Sequence, residues 1–341
     1  LSQPMLSTSN CLPLVSVLIC AYNTEEYIEE AVKAVLKQTY SNLEIIIVND
    51  GSTDSTLDIL TNLALQDSRI KIINNEYNKG FINSLNIGIQ HTNSEYIART
   101  DADDITDKHW IEKIMGQLLS NNDIIAMGSY VSILSESNSG KIGKHYKTGD
   151  VWKTPLTHHE IVEKMLFKNP IHNNTMIVRS KVFKEHNLRF DLGYKHAEDY
   201  KFWFEVSKLG KLANYPEVLA YYRLHELQTS SLYNIEQVNT AKKIRREIIS
   251  HYLNDMKIPN SINEEISYKE VEEIIKKSKK ILVKNKDLFS YIIYESYLSL
   301  KEYNFSGFIS FLKYGYEFLS SKQTRRIIRK FIRPNKYEAP L

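Results

Sequence analysis

The chain has 341 residues, of which 42% are hydrophobic and 25% charged, and a formal net charge of +3. That length accommodates an enzyme domain with an appendage, and the composition is ordinary for a globular protein. So balanced a charge gives no reason to expect a nucleic-acid partner, and the early apolar run "LPLVSVLICA" is too short to cross a bilayer. Two cysteines, Cys11 and Cys20, do not make a disulfide framework. With no visible signal-peptide pattern, a reducing, cytoplasmic setting is expected.

In chain order, the first half alternates strand and helix patterns. "VSVLICA" predicts a buried strand, and "EEYIEEAVKAVLKQ" a helix with Tyr27, Ile28, Ala31, Val32, Val35 and Leu36 on one face. "LEIIIVND" is a second strand ending at the Asp50-Gly51 turn signal, and "STLDILTNLALQ" a helix. "RIKIINN" is a strand, "FINSLNIGIQ" a weaker helix, "EYIART" a short strand, "HWIEKIMGQLLS" a helix and "DIIAMGSYVSIL" a strand. This alternation predicts an α/β fold, with a mainly parallel sheet covered by helices on both faces. The middle is mixed. "SESNSGKIGKHYKTGD" reads as a polar hairpin or loop, and "NPIHNNTMIVRS" as an asparagine-rich turn before a strand. "HAEDYKFWFEVSKLG" opens a helix with two acids, and "VLAYYRLHELQTSS" is a strand running into a polar turn. After about Asn234 lysine-rich helical patterns take over, which divides the chain into domains 13–233 and 234–341.

Open parallel sheets bind ligands beyond the carboxyl ends of their strands. Here the first strand runs out into Tyr22 and Asn23, and the second into Asp50, Gly51 and Ser52. The third ends in Asn74 and Asn75, and the fourth in Asp101, Asp103 and Asp104. Two carboxylates at i and i+2 beyond a strand can share a divalent cation, and hard oxygen ligands select Mg²⁺ or Mn²⁺. A nucleoside diphosphate would complete the shell. The cation, arriving with the substrate rather than from the chain, would offset the crowded aspartates. Asp50 could accept a hydrogen bond from the N–H edge of a base, with Tyr22 near the base or ribose.

Plainer roles stand beside these. Asp104 or Asp107 could cap the helix near His109, the more natural role for Asp107. Asp50 and Ser52 also suit an ordinary Asp-Gly turn with a hydroxyl cap. "DADD" starts like an EF-hand loop but lacks the glycine and glutamate that follow in one. Neither G-x-G-x-x-G nor G-x-x-x-x-G-K-[ST] is present, which disfavours a dinucleotide dehydrogenase or a P-loop NTPase. Glu198 and Asp199 could simply complement a helix dipole, or one could be a general base facing the cleft. His225 becomes a metal-ligand candidate only if its turn folds back onto the aspartates.

"VSVLICAYNTEEYIEEAVKAVLKQTYSNLEIIIVNDGSTDST" followed by "ARTDADD" resembles the nucleotide-binding half of family 2 glycosyltransferases of the GT-A fold. "HAEDYKFW" resembles that family's Glu-Asp base motif, and "YRLHELQTSS" its distal turn carrying arginine and histidine. A narrower resemblance rests on "SLNIGI", "IIAMGS", "NPIHNNTMI" and "LANYPEVLAYYRLH". These are similar to the lipooligosaccharide β-1,3-N-acetylhexosaminyltransferases of Neisseria and Haemophilus. "EYIARTDADD" leans towards the branch adding N-acetylglucosamine to a terminal galactose. "GFINSLNIGI" and "YKTGD" lean towards the branch adding N-acetylgalactosamine to globo-type chains. The resemblance implies an inverting transfer from a UDP-sugar to a galactose-terminated glycolipid, with Mn²⁺ or Mg²⁺ as cofactor. It implies Ala21, Tyr22, Asn23, Asp50 and Ser52 around the uridine, and Asp101 nearer the ribose. It makes Asp103 and His225 the metal ligands, Asp199 the base, Glu198 a sugar contact, and Asn173 and Asn174 sugar or acceptor contacts.

The tail "TRRIIRKFIRPNK" places Ile327, Ile328, Phe331 and Ile332 on one stripe beside Arg325, Arg326, Arg329, Lys330 and Arg333. Two readings stand open: a helix lying on an anionic membrane surface, which would make the protein peripheral on the inner membrane, or a helix packed on the protein with a solvated basic face.

Overall fold

Strand β1 (Val15–Ala21) and strand β2 (Leu43–Asn49) are β-branched, nearly continuous apolar runs because both faces of the sheet are covered. Between them α1 (Ile28–Leu36) buries Ile28, Ala31, Val32 and Val35, the stripe expected from its period. The chain continues through α2 (Thr56–Gln66), β3 (Ile70–Asn74), α3 (Phe81–Gln90), β4 (Tyr96–Arg99), β5 (Ile105–Thr106), α4 (Trp110–Ser120) and β6 (Ile124–Ser135). Then come β7 (Val151–Trp152), α5 (His158–Met165), β8 (Ile177–Arg179), α6 (Lys181–Lys184), α7 (Glu198–Ser207) and β9 (Lys211–Leu224). This computed structural model describes residues 12–135, 146–225, 233–255, 257, 266–281 and 286–332. Cys11, the middle of the polar segment "SESNSGKIGKHYKTGD", the turn beyond His225 and Arg333 lie outside the described residues.

One sheet holds the strands in the order β3-β2-β1-β4-β8-β6-β9-β5, with β7 paired to β6. Strands β1, β2, β3 and β4 are mutually parallel, and β9 runs parallel to β6. The short β8, β5 and β7 are antiparallel to their neighbours. The long strands therefore share one direction, as an alternating β-α pattern demands. β5 and β7 are too short to show a period in the sequence. Strand order reverses at β1, which has β2 on one side and β4 on the other. Such a switch point opens a crevice beyond the carboxyl ends of the strands. The core beneath it includes Val17, Ile19, Ile45, Ile47, Ala98, Trp110 and Met115. Trp110 is fully buried and donates its indole N–H to the Thr175 carbonyl at 2.8 Å.

Two units divide the chain. The first comprises Leu1–Ile161, Pro170–Tyr194 and Lys201–Leu232. The second comprises Val162–Asn169, Lys195–Tyr200 and Tyr233–Leu341. The second therefore takes in two short segments that precede the helical region in sequence. Its helices are α8 (Asn234–Asp255), α9 (Tyr268–Ile281), α10 (Lys286–Leu298), α11 (Phe305–Ser310) and α12 (Ser321–Ile332). In α12 Ile327 is fully buried, and the Phe331 ring packs against Tyr303, Phe308 and Phe311 of the same unit. Ile327 and Phe331 of the stripe are thus packed inside their own unit, Ile328 is half-buried, and Ile332, Arg325 and Arg329 are exposed. No helix among the described residues is long and apolar enough to cross a membrane.

Candidate active site

Beyond β1, β2 and β3 the loops are joined by hydrogen bonds without a charged donor: neutral side chains meet each other, and the Asp54 and Glu25 carboxylates accept from the Glu25 and Ser55 backbone N–H groups. Ala21 ends β1 buried, Tyr22 is exposed, and Asn23 turns the chain with a φ of 51°. The Asn23 backbone N–H donates to the Ser52 hydroxyl at 3.0 Å, which itself donates to Asn49 Oδ1 at 2.6 Å. Asn23 Oδ1 accepts from the Thr53 N–H at 2.8 Å, and Asn49 donates to Asn74 Oδ1 at 2.6 Å. Asp50 is buried and accepts from Asn75 Nδ2 at 2.8 Å, from the Lys79 N–H at 2.9 Å and from the Gly80 N–H at 3.0 Å. A carboxylate has about four acceptor sites, so three internal donors leave Asp50 little capacity for a base. Gly51 makes the turn possible: its φ is 67°, and a Cβ there would stand 2.4 Å from the Tyr77 carbonyl carbon.

Beyond β4 and β9 charge does the holding. Arg99, the last residue of β4, forms a two-pronged ion pair with Asp101, and its guanidinium lies 5.2 Å from the centre of the Phe81 ring. Arg223, on β9, is 5% exposed. Its guanidinium donates to the Asp103 carbonyl at 2.7 Å and to Glu30 on α1 at 2.6 Å, and it lies 5.1 Å from the Tyr27 ring centre. These two arginines correct the expectation that the chain itself supplies no positive charge to the aspartate cluster. Asp104 is 1% exposed and accepts from the Arg223 backbone N–H at 2.8 Å and from Asn174 Nδ2. Burial pushes its carboxyl well above the usual range, and the neighbouring Asp103 and Asp101 push it the same way. Asp107 accepts from the His109 N–H at 2.9 Å ahead of α4, so it is the helix-start residue of the four.

His225 meets the cluster. Its Nε2 is 2.9 Å from Asp103 Oδ2, and its ring lies 4.9 Å from that of Tyr27. The β5–β9 pairing explains the encounter, since Ile105 is opposite Tyr221 and Thr106 opposite Ala220. The residues before β5 and those after Tyr221 must then run side by side. A shell of Mg²⁺ type holds donors at about 2.1 Å, so neighbouring donors stand about 3 Å apart. The Asp103–His225 separation fits that spacing. Among the described residues no set of three His, Cys, Asp or Glu side chains is placed to hold a metal. A cation here would draw the rest of its shell from a ligand and water.

The remaining candidates divide by unit. Asn173 and Asn174 lie in a one-turn 3-10 segment, Asn173–Thr175. Asn174 is committed to Asp104, while Asn173 Oδ1 is buried without a hydrogen-bond partner. Glu198 and Asp199 start α7 and belong to the second unit. There Asp199 accepts from Asn169 Nδ2 at 2.9 Å and from the Tyr200 N–H at 2.7 Å. Cys20 is no nucleophile at neutral pH, because burial pushes its thiol up to about 12. Sequence reasoning assigned no role to Arg99, Arg223 or Glu30. A period-two signal was present for two of them: Arg99 precedes Asp101, and Arg223 precedes His225, by two residues each.

The family described as Glycosyl transferase family 2 matches residues 16–186, half of the chain. The chain belongs to glycosyltransferase family 2. An uncharacterized glycosyltransferase of Haemophilus influenzae is 54% identical over 324 residues, 95% of this glycosyltransferase and 98% of that relative. The Escherichia coli UDP-Glc:alpha-D-GlcNAc-diphosphoundecaprenol beta-1,3-glucosyltransferase WfgD is 29% identical over 69% of this chain and 83% of its own. Among solved structures, S. aureus TarS 1-349 in complex with UDP-GlcNAc superposes with a TM-score of 0.55. It covers 95% of this chain and 93% of its own at 17% identity, a likeness of fold. The enzyme is a glycosyltransferase on the GT-A fold.

Proposed function

We propose that this glycosyltransferase moves N-acetylglucosamine from UDP-GlcNAc onto a terminal galactose of lipooligosaccharide, forming a β-1,3 linkage with inversion. The observation that carries this reading is the Asp103–His225 pair, 2.9 Å apart, beside Asp101 at the edge where the strand order reverses. A UDP-GlcNAc complex on the same fold and a β-1,3 linkage in a relative's name support it. Asp103 and His225 would hold Mn²⁺ or Mg²⁺, which when bound acts as a Lewis acid on the diphosphate leaving group. Tyr22, Asn23 and the Asp50–Ser52 turn would border the uridine, and Asp101 the ribose. Asp199 would take the proton of the galactose hydroxyl as that oxygen bonds to the anomeric carbon and the bond to UDP breaks, with Glu198 binding sugar.

The test is UDP release from a panel of UDP-GlcNAc, UDP-GalNAc and UDP-glucose, with lactose-terminated and globotriose-terminated acceptors and Mn²⁺. UDP-GlcNAc with the lactose-terminated acceptor is expected to react fastest. Preference for UDP-GalNAc and globotriose would install the globo-type reading. Absence of turnover with every pair would leave a non-catalytic sugar-nucleotide-binding protein. Asp199→Asn is expected to lower kcat about 10³-fold, within the range of general-base losses, and full activity would remove Asp199 from the base role.

Contact with the inner membrane through α12 would be chiefly electrostatic, because Ile327 and Phe331 are already packed and Ile332 alone of the stripe is exposed beside Arg325 and Arg329. The double variant Arg325→Glu, Arg329→Glu is then expected to lose binding to anionic vesicles while keeping transfer to a soluble acceptor. Unchanged vesicle binding would exclude this helix as the contact.

A further inference from the structure

Three segments of the first unit bring aromatic rings together around Trp152. Tyr222 lies 5.5 Å away and tilted, Tyr146 meets Trp152 edge-on at 5.0 Å, and His172 stacks at 6.1 Å. The sheet arranges this. Trp152 is opposite Val131 and Tyr222 opposite Ile133, so the two rings flank β6 on one face. Core aromatics of this chain are closed off, with Trp110 at 0% and Trp203 at 2% exposure. Trp152 and Tyr222 are instead half-buried, and Tyr146 is 47% exposed. His172 ties the cluster to the charged site, standing two residues before Asn174, which binds Asp104, while Tyr222 directly precedes Arg223 on β9 and so presents its ring to the opposite face of the sheet.

We propose that Trp152 and Tyr222, edged by Tyr146, form the acceptor subsite and stack against a hexopyranose that has one continuous C–H face. Galactopyranose has such a face, opposite its axial 4-hydroxyl. Polarised C–H groups suit the negative face of an aromatic ring, and the site asks for no charge on the sugar. The proposal rests on the glycosyl-transfer reading for the identity of the ligand, and it adds which surface receives the acceptor.

Of the three tryptophans, Trp110 and Trp203 are buried, so a sugar-induced change in emission or acrylamide quenching reports on Trp152. The full chain is titrated with lactose, and with maltose as control, without donor. Lactose is expected to shift the emission saturably and to shield it from acrylamide, more than maltose does. In kinetics with a lactose-terminated acceptor, Trp152→Ala is expected to raise the acceptor KM about tenfold, the size of one aromatic stacking contact. The donor KM and donor hydrolysis should stay unchanged, and Trp152→Phe should recover most of the loss. Turnover of a lactose acceptor with no emission change, and an unaltered acceptor KM in Trp152→Ala, would overturn the subsite. A lactose-dependent emission change without turnover of any donor would support the subsite and sink the transfer reading instead.

Discussion

The two stretches of the sheet's carboxyl edge are held by different kinds of bond. Behind β1, β2 and β3, Asn23, Asn49, Ser52 and Asn74 join the loops through neutral groups, and the carboxylates there, Asp50, Asp54 and Glu25, accept from backbone N–H groups or an amide rather than from a charged side chain. Behind β4 and β9 charged groups make the contacts: Arg99 pairs with Asp101, Arg223 with Glu30, and the Asp103 carboxylate meets the His225 ring. Neutral bonds of the first kind contribute about 1 kcal/mol each and have no better partner to exchange for. The second kind is exchangeable, since a divalent cation can replace the contact between Asp103 and His225 without moving either far. One stretch is a fixed wall, and the other is where charge can be traded with a ligand.

The largest effect should come from the exchangeable side. Asp103→Asn is expected to reduce UDP release about 10³-fold, as for loss of a group that stabilises developing charge. The thermal midpoint should move little, because the Asp103 side chain is partly exposed at 26% and an amide can keep the contact with His225. An equal loss of UDP release from Ser52→Ala, with the fold intact, would erase the distinction between the two stretches.

Much of this edge is legible in the amino-acid pattern alone. Long β-branched runs and a 3.6-residue period place β1, α1 and β2, and the rule of carboxyl ends then puts Asn23, Asp50 and Asp101 on one side. Partnerships are not legible in that way. Ser52 looks like a ligand contact and a turn cap alike until its bonds to Asn23 and Asn49 are seen. Arg223 and Asp104 stand 119 residues apart. Nothing local announces that a two-residue strand, β5, will bring them together through β9. In α12 the stripe of Ile327 and Phe331 has the same period on a membrane as against Tyr303 and Phe308, so the period alone does not announce the packing that these two residues make.

A second effect concerns the one buried aspartate of the charged stretch. Burial, then Asp103 and Asp101, raise the Asp104 carboxyl well above its ordinary range. The folded chain therefore keeps a proton that the unfolded chain releases at about pH 4. This group's contribution to stability is full below that pH and declines as pH rises towards the raised value. Urea midpoints in metal-free buffer should fall with pH over that window for the native protein and stay flatter for Asp104→Asn. Parallel slopes would mean that Asp104 carries its charge without penalty, and that Arg223 compensates it more fully than its backbone contact alone suggests.

The smallest effect belongs to the fixed wall. Ser52→Ala removes one bond donated to Asn49 Oδ1 and one accepted from the Asn23 N–H. Asn49 is 1% exposed, so its oxygen loses a partner that water cannot readily replace. A cost of about 1–2 kcal/mol follows from an unmet buried acceptor, read as a lower urea midpoint at an unchanged slope. The kcat for transfer should stay within about threefold of native, with at most a modest rise in donor KM, because the hydroxyl is spent on the loops. If kcat instead falls by orders of magnitude at full stability, Ser52 leaves its neighbours for the ligand. The wall behind β1 and β2 would then be as exchangeable as the charged knot behind β4.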